Sequence, residues 1–197
     1  KIKESFYMRL INKITICYLL IIVTLSACAT PITMSPQSDN AEIQREQEIQ
    51  RRMALEEYIK MEERLFNVSY PILQKNYELC GKKVKNDIGI TIWNIDAFDN
   101  NFKQTAQSLY NLDTHITVKN VHKQSSAYKA GIRAGDKIVF IDGVAIGQGK
   151  KELVKTAQTL NSIKENKFTI IIQRGNETFS KDITPNKVCD YPVVLNY

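Results

Sequence analysis

Histidine is scarce in this sequence: 197 residues hold two, His115 and His122, seven positions apart. A His-Glu-x-x-His helix needs its two histidines four apart on one face, so no catalytic metal is expected within the chain. Glycine numbers eight, and no Gly-x-Gly-x-x-Gly or phosphate-loop spacing occurs among them. Neither fingerprint of nucleotide binding is present, and no cofactor is expected. Lysine and arginine exceed aspartate and glutamate by six, but residues 1–27 hold four of the bases and one acid, which leaves 23 against 20 in the rest. Without a basic stripe interleaved with aromatics, that balance describes a solvated surface and not a nucleic-acid partner. Long apolar runs are lacking apart from residues 14–27, fourteen positions broken only by two threonines and a serine. At 1.5 Å per residue this run reaches roughly 21 Å, short of the ~30 Å hydrocarbon core. A secretory signal fits it better than a permanent transmembrane helix.

Nucleophile and base pairs are lacking as well. His122 stands near Ser125 and Ser126, but hydroxyls ahead of a short helix serve more often as caps than as nucleophiles. Asp136 and Asp142 sit in turn-forming contexts and not as an acid and base pair. No catalytic residue is expected.

The apolar run ends in Leu25-Ser26-Ala27-Cys28, which resembles a bacterial lipobox. The resemblance implies that the bond before Cys28 is cut and that the Cys28 thiol carries an acyl chain such as palmitate. Ala29, where aspartate would mark inner-membrane retention, resembles the pattern sorted to the outer membrane. The location so implied is the periplasmic face of the cell envelope, lipid-anchored. A plain signal peptide or an uncleaved anchor is the other reading. Residues 8–27 already form a complete signal, so the start is either Met8 or upstream. Of four cysteines, Cys17 leaves with the signal and Cys28 takes the lipid, so Cys80 and Cys189 remain in an oxidising compartment. Either they pair as a disulfide, the expected outcome, or they are two buried free thiols.

Residues 28–38 are rich in Pro, Ser and Thr and read as a flexible tether, about 17 Å long on average. Asp39 followed by Glu42 is a capping-box pattern that opens a charged helix to about residue 65. Apolar positions recur at helical spacing only from Met53 onward, so the first half is expected in solvent and the second packed. Tyr70-Pro71 predicts a kink or a new helix start, and Gly81 a stop, which makes residues 39–81 a helical arm. A short basic turn precedes a strand over 88–95. A long insertion, 96–113, leads to a second strand over 116–121. A helix over 150–160 and a hairpin turning at Gly175-Asn176 follow, before a C-terminal strand or tail at 185–197. Trp93 is either core or the wall of a groove.

The most specific stretch is Ser126-Ala-Tyr-Lys-Ala-Gly-Ile-Arg-Ala-Gly-Asp-Lys-Ile-Val-Phe-Ile-Asp-Gly143. It encodes a capped helical turn, a left-handed glycine, a tight turn, a buried strand and a second turn in quick succession. That order resembles the signature of a bacterial PDZ domain, spanning residues 83–184. The fold class implied is α+β, a PDZ-like partly open β-barrel or sandwich with two helices, preceded by the helical arm. PDZ domains bind peptide by strand addition. The resemblance makes Ile88-Gly89-Ile90 a carboxylate-binding loop, assisted by Lys85. A glycine that merely relieves a bulge is the other reading of Gly89. The groove is expected between a strand carrying Ile90 and Ile92 and a helix presenting Leu153, Ala157 and Leu160. Peptide or protein segments, C-terminal ones included, are the expected partners, with the membrane contacted through the lipid.

A wider set of residues extends the resemblance. Glu63-Arg-Leu-Phe66, Tyr70-Pro-Ile-Leu73, Leu79-Cys-Gly81 and Cys189-Asp-Tyr-Pro-Val193 look like the front half of bacterial M48-type metallopeptidase lipoproteins that carry a PDZ-like domain. In that family a zinc-binding His-Glu-x-x-His helix comes next. The expected function is a non-catalytic, lipid-anchored peptide-binding module. Two rivals stand beside it: the substrate-binding part of an M48-like protease with its metallopeptidase domain elsewhere, and a structural lipoprotein that uses the arm.

Overall fold

The computed structural model describes residues 39–164 and 167–195. The segments expected as signal and tether, and Cys28, lie outside them. One compact unit runs over Ile43–Tyr197. Of the other, Lys1–Glu42, the described part is the opening of helix α1 (Asn40–Lys75), where the Glu42 N–H donates to the Asp39 carbonyl at 2.8 Å. Among the described residues no helix is long and apolar enough to cross a membrane.

Helix α1 has 36 residues, about 54 Å of helix. Residues 40–50 are exposed, whereas Leu55, Ile59 and Tyr70 are buried. The kink expected at Tyr70-Pro71 is absent as a break: the helix runs through Pro71. A proline has no N–H for the carbonyl four residues back. That carbonyl belongs to Asn67, and the His122 ring lies beside it. A 3-10 turn, Tyr77–Cys80, follows and ends at Gly81, whose φ of 54° suits glycine.

Strand β1 (Val84–Asp87) stands where the lysine-rich sequence predicts a turn. It pairs antiparallel with β8 (Asn186–Cys189), Val84 opposite Cys189, as a separate two-stranded sheet. A disulfide joins Cys80 to Cys189 with Cα atoms 5.6 Å apart. The main sheet is antiparallel, in the order β2 (Ile90–Trp93), β3 (Thr117–Val121), β4 (Lys137–Ile141), β6 (Phe168–Arg174), β7 (Glu177–Ile183), with β5 (Val144–Ala145) hairpinned onto β4. The insertion between β2 and β3 forms helix α2 (Asn100–Tyr110), capped by the Asp99 carboxylate. Short helix α3 (Ser126–Lys129) precedes β4, and α4 (Gly149–Asn161) precedes β6.

Phe168, Ile170 and Ile172 alternate along β6 into the main core with Ile88, Ile116, Val118, Ile132 and Ile138. Burying each such side chain stabilises by about 1.5–3 kcal/mol. A second cluster joins Leu55 and Ile59 of α1 to Ala106 of α2, with Trp93, Phe98 and Phe102 packed against it. Trp93 therefore belongs chiefly to this second core, its ring 5.0 Å from Tyr110 and 6.0 Å from Phe98.

The turn aspartates do more than turn the chain. Asp136, 1% exposed, accepts from Arg174 Nε and Nη2 at 2.6 and 2.8 Å and from the Arg133 N–H at 2.7 Å. Asp142 (φ 46°) and Gly143 (φ 76°) form the two-residue turn between β4 and β5. The Asp142 carboxylate accepts from the Thr169 N–H at 2.8 Å.

Candidate functional site

Strand β2 closes one end of the main sheet, with β3 as its sheet partner on one side and α4 nearby. The Gly89 carbonyl accepts from the His122 N–H at 3.0 Å. In an antiparallel ladder successive residues point their N–H and C=O to opposite sides, so Ile90, next in line, turns its own toward the open edge. A bulge between Thr91 and Ile92 then shifts the register, which is common where an edge strand ends its pairing. Ile90 and Ile92 pack on the main core from this strand, as Leu153 and Leu160 do from α4.

Between them lies a cleft of about 670 Å³. Of the residues expected there, Lys85, Ile90, Ile92, Ala157 and Leu160 line it together. Three others sit elsewhere. Ile88 is 2% exposed within the main core, Leu153 packs against that core, and Gly89 forms the turn at the head of β2.

That turn is occupied. Gly89 has a φ of +71°, and its N–H donates to Asp87 Oδ1 at 2.5 Å. A Cβ at Gly89 would fall 2.6 Å from Tyr70 Cζ and closer still to Ser125 Cβ. The Tyr70 hydroxyl accepts from the Asn186 side-chain amide at 3.2 Å. Burial pushes its pKa up to about 12, with Asp87 adding to the rise and Asn186 opposing it. Burial likewise raises the Asp87 carboxyl above the usual carboxylate value, against the pull of the Gly89 N–H and of Lys85. Lys85 Nζ donates to Asn161 Oδ1 at 2.9 Å and stands 4.0 Å from Asp87 and 3.8 Å from Asp190.

Two walls of the cleft escaped the sequence reading. Helix α1 supplies Tyr58, Glu62, Leu65 and Phe66, and residues 191–195 supply another side. Glu62 is ion-paired with Lys119 of β3, whose ammonium also lies 5.1 Å from the centre of the Trp93 ring. Residues 191–195 leave β8 just after the disulfide, where the Asp190 N–H donates to the Lys83 carbonyl at 2.8 Å. Period-3.6 spacing marked α1 as packed but not what it packs against.

His122 and Ser125 behave as structural groups. Ser125 Oγ accepts from the Tyr128 N–H at 3.1 Å as the cap of α3, and His122 Nδ1 accepts from the Gln124 N–H at 3.1 Å. Among the described residues no group of three or more His, Cys, Asp or Glu is placed to hold a metal ion.

Residues 117–163 match the family model described as PDZ domain. Over 71 residues the chain is 37% identical to a Staphylococcus aureus (strain MRSA252) protein named as a zinc metalloprotease; the match covers 36% of this chain and 16% of that protein. Among solved structures, the HtrA3 PDZ domain bound to a phage-derived ligand is 24% identical, with a TM-score of 0.37, covering 53% of this chain and 88% of that one. The photosystem II D1 C-terminal processing protease is 24% identical at a TM-score of 0.40, covering 56% and 25%. The chain contains a PDZ domain, and its fold is α+β and PDZ-like.

Proposed function

We propose that this chain is a lipid-anchored cell-envelope module that binds extended peptide segments by strand addition and performs no catalysis of its own. One observation carries the reading: the open edge of β2 and the apolar face of α4 border a single cleft, lined by Ile90, Ile92, Ala157 and Leu160. A peptide laid there gains main-chain hydrogen bonds from β2 and sets alternate side chains against the apolar wall. The PDZ match over residues 117–163 supports it. Anchoring rests on the lipobox-like Leu25-Ser26-Ala27-Cys28; in this reading the acyl chain is on Cys28 and the module stands on the periplasmic face, outer-membrane side.

Titration of an apolar-rich peptide library against wild type and Ala157→Trp tests the cleft. The indole fills the space beside Leu160 and is expected to weaken binding by about tenfold or more. Unchanged affinity in a folded variant places the site elsewhere.

A second reading is favoured by the 37% likeness to the protein named as a zinc metalloprotease. In it, the module presents substrate to an M48-like catalytic domain outside this sequence. A His-Glu-x-x-His codon run downstream of Tyr197 in the gene would select this reading over the first.

A further inference from the structure

We propose that the cleft takes internal peptide segments and rejects a free C-terminal carboxylate, because Asp87 and Tyr70 already fill the turn where such a carboxylate would sit. The proposal rests on the cleft being a strand-addition site and specifies which peptides enter it. A C-terminal carboxylate bound by strand addition is held on backbone N–H groups converging in a glycine turn ahead of the edge strand. Here the glycine N–H is spent internally, on Asp87 Oδ1 at 2.5 Å. The turn is also roofed. Tyr70, 4% exposed, packs against Gly89 closely enough that a single added methyl would collide with its ring, and Asn186 holds its hydroxyl.

Charge acts in the same sense. Lys85 is the cation beside the turn, yet its ammonium donates to Asn161 and stands between the carboxylates of Asp87 and Asp190. An arriving carboxylate meets two negative groups against one positive group, with no free glycine N–H. A chain that continues along the cleft carries no terminal charge toward the filled turn, and its amide N–H groups complement the carboxylate of Asp87, which lines the cleft. The specificity is therefore built by repulsion as much as by fit.

The test uses the full-length chain and one pool of apolar-rich heptapeptides made twice, as free acids and as C-terminal amides. Binding is read by capture and mass spectrometry, then by fluorescence titration of the best members. The amides are expected to bind about tenfold tighter than the matched acids. Asp87→Ala, which frees the Gly89 N–H and removes a negative charge, is expected to raise affinity for the acids. Asp87→Asn keeps an acceptor for that N–H and should raise it less. Equal affinities, or tighter binding of the acids by wild type, overturn the proposal while strand addition stands. If neither pool binds, the peptide-site reading falls and this proposal falls with it. The deciding comparison needs only the wild-type chain, so a variant that fails to fold does not obscure it.

Discussion

At Gly89 a positive φ, a donated N–H and two packed neighbours meet in one residue. Gly89→Val places a β-branched side chain in left-handed backbone and drives it into Tyr70 and Ser125. The expected loss of stability exceeds ~2 kcal/mol, read as a lowered urea midpoint. A midpoint within error of wild type would mean the turn tolerates a side chain. Lost peptide binding in this variant therefore reports a damaged turn and not a removed ligand contact. His122 is the other informative residue. Its ring, 7% exposed, lies 4.9 Å from the Tyr70 ring and 6.2 Å from that of Phe66. Burial pulls its pKa below the ordinary value, although its hydrogen bond to Asn67 pulls the other way. Protonation would also put a hydrogen on Nδ1, where the Gln124 N–H already points. The folded state thus binds this proton less readily than the unfolded one. Its stabilising effect is complete above the unfolded pKa of about 6.5 and is lost as pH falls through that value, levelling off only below the folded pKa. Wild type should show a lower urea midpoint at about pH 5.5 than at about pH 7.5. His122→Gln should reduce that difference, and an identical difference in both proteins would assign it to other groups.

Strand β1 and helix α1 show what an element owes to distant sequence. Lys82-Lys83-Val84-Lys85 has no alternation that marks a strand; its partner lies a hundred residues on, in β8, and the Cys80 to Cys189 bridge holds the two ends together. Closing a loop of that length stabilises by as much as ~4 kcal/mol in the chain-entropy account. The paired change Cys80→Ser with Cys189→Ser should lower the thermal midpoint and leave residues 191–195 more open to proteolysis. A midpoint unchanged between oxidised and reduced protein would remove the bridge from the account. Legibility follows the range of the cause. The capped helix α3, the Asp142-Gly143 turn and the Gly175-Asn176 hairpin are written in adjacent residues, and the sequence predicts all three. Pro71 reads as a break because its missing N–H is local, whereas the His122 ring beside the freed carbonyl is distant in sequence. The groove was legible as far as Ile90, Ile92, Ala157 and Leu160, which obey strand and helix periodicity. Asp87, Tyr70 and residues 191–195 join the site only through tertiary packing, and no spacing announces them.

Across the molecule, β2 is gripped on both faces. Ile90 and Ile92 pack on the main core, while Trp93 turns to the cluster that α1 and α2 build from Leu55, Ile59 and Ala106. The arm is thus part of the support of the groove strand and not a separate rod. Ile59→Asp tests this without touching the cleft, since Ile59 is buried in the second cluster and absent from the cleft lining. An unpaired carboxylate there should cost about 3 kcal/mol and loosen α1 from β2. Trp93 is the sole tryptophan, so its emission should shift to the red as water reaches the ring. If β2 depends on the arm for its position, peptide affinity falls in the same variant, because an edge strand held on one face alone presents a less ordered ladder to its ligand. Hydrogen exchange at Ile170 and Ile172 should stay slow, which separates loosening of β2 from global unfolding. A red-shifted Trp93 with undiminished peptide affinity would show that the main core alone fixes the groove, and that α1 serves some purpose other than holding β2.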